Sequence, residues 1–165
     1  MNKSIIILAH NIRSTHNVGA IFRTCDGFGV QEIILSGYTP YPATVDDTRL
    51  PHISNKLTTQ IHKTALGAEQ TVPFRYYEDP FPIITALQAE GYIIAGLEQD
   101  ENSILLPNYT SPQKLVLVLG EEVEGIPIPL RRACDTLLEI PMVGRKESFN
   151  VSVATGIALY ALTLQ

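Results

Sequence analysis

LVLVLGEEVEGIPIPLRRACDTLLEIPMVGRKESFNVSVATGIALYALTL, Leu115 to Leu164, reads as a buried strand, an acidic glycine turn, a short helix, a second strand, a polar loop and a closing helix with almost no polar face. Leu115 to Leu119 is a continuous aliphatic run of strand length, which suits a strand covered on both sides in a parallel sheet. Gly120 ends it, and Leu137 to Ile140 repeats the pattern with Pro141 as its stop. Each strand end thus runs at once into a loop of special composition, the place where α/β proteins put their sites. From Val151 to Leu164 the polar positions are Ser152, Thr155 and Thr163, so apolar residues fall on every side of a helical projection. A helix apolar all round is covered all round. In a domain this small, that predicts one face on the sheet and another on a second copy of the chain.

The rest of the chain extends the same pattern. Ser4 to Leu8 is predicted as a first strand, followed by the polar loop AHNIRSTHN and a helix from Val18 to Phe28. Val18, Ile21, Phe22, Cys25 and Phe28 recur at three- and four-residue spacing as its core stripe, and Asn17 suits its N-cap. Gln31 to Leu35, Phe74 to Tyr77 and Tyr92 to Leu97 read as strands, Lys56 to Ala65 and Pro82 to Ala89 as helices, and Gly37 to Asp47 as an exposed loop. Strands alternating with helices predict an α/β fold, a parallel sheet with helices on both faces, in one domain over residues 1–165.

Composition narrows the functional classes. The 165 residues are 45% hydrophobic and 18% charged, which is globular and somewhat apolar. SIIILA is too short for a signal-peptide core, and no run approaches the roughly 18 apolar residues of a membrane span, so a cytoplasmic protein without membrane contact is expected. Cys25 and Cys134 lack metal-type neighbours and read as small core residues in helices, with neither metal nor disulfide. His10, His16, His52 and His62 show no ligand or triad spacing, and His16 alone falls near the motif residues. The net charge of −5 argues against a general nucleic-acid coat. An RNA partner would have to meet a local patch drawn from Arg13, Arg23, Arg49, Lys56, Lys63, Arg131, Arg132, Arg145 and Lys146. The turn GEEVEG lacks the GK[ST] ending of a phosphate loop and sets three carboxylates where phosphates would sit. A cofactor held there is expected to be neutral or cationic.

Three stretches taken together are more specific. NVGAIFRTCDGFG (Asn17 to Gly29), LVLGEEVEGIP (Leu117 to Pro127) and IPMVGRKESFNVSVATGIALY (Ile140 to Tyr160) resemble, in this order, the signature motifs of the SpoU or TrmH branch of the SPOUT RNA methyltransferases. Asn17 and Arg23 match the first motif, Gly120, Glu122 and Gly125 the second, and Ile140, Met142, Ser148 and Asn150 the third. KTALGAEQTVP, Lys63 to Pro73, is similar to the family's connection between its halves. Phe149 departs from the leucine common in relatives but stays apolar, and a minimal form without the added RNA-binding domain that many relatives carry is expected.

The resemblance implies methyl transfer from S-adenosylmethionine to a ribose 2′-hydroxyl in RNA, by a homodimer of a SPOUT fold whose C-terminal region is threaded into a trefoil knot. It implies that backbone groups around Leu97, Gly120, Ile140 and Phe149, with Met142 and Ser148, hold the cofactor. Arg23 would touch the ribose or its phosphate; the alternative is a surface pair with Asp26. Asn17 lies about 120° round the helix from Arg23 at 3.6 residues per turn, so it is expected to fix the helix start. Glu122 would tie the motif loops through backbone N–H groups or orient Arg23, Asn150 would cap the last helix, and Ser148 would close the loop before it. Glu121 and Glu124 read as surface. Without an added domain the expected substrate is compact, tRNA before rRNA. The competing readings are a dimeric RNA-binding module without catalysis and an α/β enzyme with another nucleotide-like cofactor.

Overall fold

The computed structural model describes residues 3–164. Among the described residues seven strands are interleaved with helices, the fifth alone following a strand directly. β1 (Ser4–His10), α1 (Thr15–Phe28), β2 (Glu32–Ser36), α2 (Pro51–Ala65), α3 (Ala68–Thr71) and β3 (Phe74–Tyr77) form the first part. α4 (Phe81–Ala89), β4 (Ile93–Leu97), β5 (Ile104–Leu105), β6 (Lys114–Leu119), α5 (Ile128–Ala133), β7 (Thr136–Glu139) and α6 (Val151–Thr163) complete it. All strands are parallel, in the order β3-β2-β1-β6-β4-β7-β5.

The aliphatic runs are explained by burial on both faces. Successive residues of a strand point to opposite sides. Ile5, Ile7, Ala9, Ile33, Leu35, Leu115, Leu117 and Leu119 accordingly enter one core with residues of α1, α2, α3 and α6. Ile6, Leu8, Ile34, Ile94, Val116 and Val118 enter the other, beneath α4 and α5. α1 approaches α2 so closely at Gly19 that a Cβ there would fall on Thr64 Oγ1 and the Ile61 carbonyl. α6 packs Ala158, Leu159 and Leu162 against the first core, each such leucine contributing about 1.5–3 kcal/mol relative to exposure. Its hydroxyls are folded back, Thr155 Oγ1 donating to the Val151 carbonyl and Thr163 Oγ1 to that of Leu159. Val153, Tyr160 and Leu164 stay exposed on the opposite side.

Several local expectations need correction. α1 starts at Thr15, and its cap is Ser14, whose hydroxyl accepts from Asn17 N at 3.2 Å. α2 starts at Pro51, five residues before Lys56, because proline is preset for the first helical position. The stretch from Gly37 to Asp47 is anchored rather than simply exposed. Thr39 is buried and its hydroxyl donates to the Ser36 carbonyl at 2.7 Å, while Tyr41 stacks on Tyr76. Cys25 is buried in α1, whereas Cys134 stands just past α5 as its C-cap. Burial raises both thiols, that of Cys134 to about 12, which leaves them unreactive.

Sheet order decides where loops meet. β1 and β6 are neighbours, with Ala9 opposite Leu119, so the chain leaving β1 and the chain leaving β6 emerge side by side. β4 adjoins β6, and β7 enters between β4 and β5. The loops after β1, β4, β6 and β7 therefore share one edge, beside the point where the order reverses.

Candidate functional site

A cavity of about 370 Å³ lies at that edge. Its walls come from the ends of β4 (Leu97 to Gln99), β6 (Leu119 to Gly125) and β7 (Leu138 to Ile140), from Met142, and from the segment Ser148 to Val151 that enters α6. All six residues assigned to a cofactor, Leu97, Gly120, Ile140, Met142, Ser148 and Phe149, line it.

The acidic turn is shaped by two glycines and one pair of main-chain bonds. Glu121 N donates to the Gly125 carbonyl and Gly125 N to that of Glu121, both at 3.0 Å. Gly125 sits at φ +70°, where side chains are strained, and a Cβ on Gly120 would lie on the Gly125 carbonyl and Ile126 N. The far end of the turn is held by Glu98, whose Oε2 accepts from Ile126 N at 2.8 Å. Arg131 Nε donates to the Ile126 carbonyl at 2.7 Å and stands 3.5 Å from Glu98. Arg131 is thus part of this scaffold, not a free contact for RNA.

Glu122 ties the motifs together. Its carboxylate accepts from Arg13 N at 3.1 Å, from Ser14 N at 3.2 Å and from Asn17 Nδ2 at 2.9 Å. Burial alone would raise its pKa, but the Asn17 amide and the Arg13 and Ser14 N–H groups outweigh that and hold it below the ordinary glutamate value. Asn17 Oδ1 in turn accepts from Asn150 Nδ2 at 3.2 Å, and Asn150 Oδ1 caps α6 by accepting from Ser152 N at 2.9 Å. Glu122, Asn17 and Asn150 therefore form one chain of side chains that joins all three motifs. This is the first of the two roles expected of Glu122, and the cap expected of Asn150.

The remaining candidates stand apart from that chain. Arg23 is exposed, does not line the cavity, and makes no hydrogen bond or ion pair among the described residues. It does not pair with Asp26 either, whose Oδ1 accepts from Thr71 Oγ1 at 2.7 Å. Ser148 lines the cavity, but its hydroxyl makes no loop-closing hydrogen bond among the described residues. The side chain of His16 is exposed and outside the cavity lining. Glu121 is not a surface residue: its side chain is 10% exposed and pairs with Arg13. Arg49, a candidate RNA contact, is engaged by Asp47 and by the carbonyls of Tyr41 and Pro42. Glu98 is the scaffold residue that sequence reasoning left without a role, and Arg13 was read only as a candidate RNA contact. A charge placed directly after the end of β4 was the one available signal for Glu98.

Among the residues lining the cavity are the carboxylates of Glu98, Glu121, Glu122, Glu124 and Glu139, and no Lys, Arg or His. Such a lining opposes a polyphosphate and accepts a cation. Gly120 and Gly125 line it without side chains of their own, so the residues present fit a sulfonium cofactor held by backbone groups. Among the described residues no cluster of His, Cys, Asp or Glu is arranged to hold a metal, and no helix is long and apolar enough to cross a membrane.

Comparison with known proteins adds an independent line. The 23S rRNA (guanosine-2′-O-)-methyltransferase RlmB of Nitrosomonas europaea is 33% identical over 95% of this chain, which spans 55% of that protein. The crystal structure of the A. aeolicus TrmH/SpoU tRNA modifying enzyme superposes with a TM-score of 0.80 at 27% identity, over 98% of this chain and 74% of that one. An AdoMet-bound rRNA methyltransferase from Sinorhizobium meliloti superposes at 0.78 with 25% identity, over 98% of this chain and 56% of the other. The SpoU rRNA Methylase family matches residues 4–160, a span that holds the whole Glu122–Asn17–Asn150 chain and every wall of the cavity, and this protein belongs to that family.

Proposed function

We propose that the chain transfers a methyl group from S-adenosylmethionine to a ribose 2′-hydroxyl in RNA. The observation that carries this reading is the cavity itself, where all six residues assigned to the cofactor meet inside a lining with five carboxylates and no cation. S-adenosylmethionine supplies the methyl group on a sulfonium, an electrophile that needs no metal. The acidic lining favours that positive charge, and Leu97, Gly120, Ile140, Met142, Ser148 and Phe149 hold the molecule. Glu122, Asn17 and Asn150 keep the three motif loops in register around it.

Arg23 is assigned to the RNA. An arginine stays protonated, so it grips a phosphate, orients the hydroxyl and stabilises the alkoxide as the proton leaves to phosphate or water. It stands one residue before Thr24, whose methyl lies 3.7 Å from where a Cβ on Gly156 of α6 would be. A homodimer built on the uncovered apolar side of α6, with Val153, Tyr160 and Leu164, brings Arg23 into the interface region, where it can serve a cavity that its own chain does not bring to it. The trefoil threading belongs to the same reading and is supported by the entry of β7 between two earlier strands. The RNA is proposed as tRNA first and rRNA second; the relatives named above include one of the former kind and two of the latter.

The test is calorimetric titration of S-adenosylmethionine in the presence of chelator, followed by single-turnover transfer to unmodified tRNA and rRNA transcripts. Binding that is lost with chelator, or never appears, removes the cofactor assignment. Arg23→Ala and Arg23→Lys should each slow transfer by about a hundredfold while cofactor affinity stays unchanged. Normal transfer in Arg23→Ala would take Arg23 out of the chemistry. Sedimentation at micromolar concentration should show a species of twice the chain mass.

A further inference from the structure

A second cavity, of about 710 Å³, opens beneath the chain that follows β2, on the far side of Arg13 from the first. Its side chains divide into those already engaged and those left free. Tyr41 is stacked on Tyr76 with ring centroids 4.1 Å apart, and the Arg49 guanidinium covers the Tyr41 ring at 3.5 Å. With Arg49 fixed by Asp47, this group is a rigid wall with no cation to spare. By contrast Tyr38 is 53% exposed, and its ring takes no part in an aromatic pair among the described residues. The Gln60 amide and the Thr15 hydroxyl also line the cavity and make no hydrogen bond among the described residues. Arg13 stands at the border between the two cavities, paired with Glu121 on one side and beside the Tyr38 hydroxyl on the other.

We infer that this cavity receives one unstacked base of the RNA chain next to the methylated ribose, stacked on Tyr38 and read at its edge by Gln60 and Thr15, with Arg13 on the phosphate between the two nucleotides. The inference rests on the methyl-transfer reading above and extends it to substrate choice. The volume falls in the range of roughly 300–1,000 Å³ usual for small-molecule recesses. An exposed aromatic ring beside an amide with both donor and acceptor is how proteins read splayed single-stranded bases. Arg13, whose side chain stays 63% exposed despite its pair with Glu121, suits a single phosphate rather than a duplex backbone. The apolar lining, Leu57 and Pro40 beside the aromatic rings, is too slight to anchor a peptide. The wall between the cavities is thin: Ser14, which lines the second, is bonded through its N–H to Glu122, which lines the first.

The experiment uses the full chain with random-sequence oligoribonucleotides that contain 4-thiouridine, irradiated and mapped by mass spectrometry. Cross-links are expected on the peptides carrying Tyr38 to Tyr41 or Leu57 to Gln60. Tyr38→Ala and Gln60→Ala should each weaken oligonucleotide binding, the former about tenfold or more, the scale of one stacked base, and Tyr38→Phe should retain most of it. Cofactor affinity, measured by calorimetry on the same variants, should not move, and melting curves report that each has folded. Cross-links confined to other regions, such as Arg145 and Lys146, together with normal binding by Tyr38→Ala, overturn the inference and leave methyl transfer standing. Absence of both RNA cross-links and cofactor binding overturns the two together.

Discussion

Two loops at the carboxyl edge of the sheet are each held by one charged side chain, but over very different spans of sequence. Arg49 works locally: its partners Asp47, Pro42 and Tyr41 lie two, seven and eight residues away. Glu122 works at long range, with partners 105, 108 and 109 residues away in Asn17, Ser14 and Arg13. A local clamp gives one loop a shape. A long-range tie makes two motifs depend on each other, so damage to either is felt at both.

The sharpest way to break this contrast is Glu122→Ala, which leaves two main-chain N–H groups and the Asn17 amide without their acceptor. Transfer should fall by about a hundredfold and Tm by about 5–10 °C, read by single-turnover kinetics and calorimetry. Intact transfer despite a lowered Tm would confine Glu122 to scaffolding. Arg49→Ala comes next, with Tm lowered by about 5 °C and cofactor affinity unchanged, since its partners lie outside the first cavity. Loss of cofactor binding in that variant would show that the two loops are not independent.

The smallest effect is one of pH. The folded-state pKa of Glu122 is lowered relative to an unfolded value near 4.3, so the tie contributes its full stability above about pH 5 and loses it as pH falls through the lowered value. The stability gap between the wild type and Glu122→Gln should be flat from about pH 5 to 7 and close in stronger acid, as followed by urea titration. A gap that widens on acidification would reverse the sign assigned here.

The same contrast marks what could be read from sequence. Buried strands announce themselves because burial on both faces demands an unbroken aliphatic run, as in Leu115 to Leu119. Glu122 was legible through its motif, although its partners follow from the pairing of β1 with β6. Arg49 was misread because a solvated arginine and one folded onto its own loop look alike in sequence. Asn17 was placed at the helix start because it suits a cap; Ser14 holds that position, which leaves the Asn17 amide for Glu122. β5, two residues long, is too short to show any periodicity, and the second cavity is assembled from side chains scattered between Arg13 and Tyr76.

The central pairing of the sheet also sets an order for biosynthesis. β1 can join β2 and β3 early, but its other edge is complementary to β6, where Ser4 pairs with Lys114. At typical translation rates of about 5–20 residues per second, that edge must wait roughly 5–20 s for its mate to be made. During this interval the nascent chain presents an unpaired strand that is aliphatic from Ile5 to Ala9, the kind of template on which other chains misassemble. Ribosome-bound chains truncated shortly before Lys114 should therefore be the ones most strongly retained by holdase chaperones.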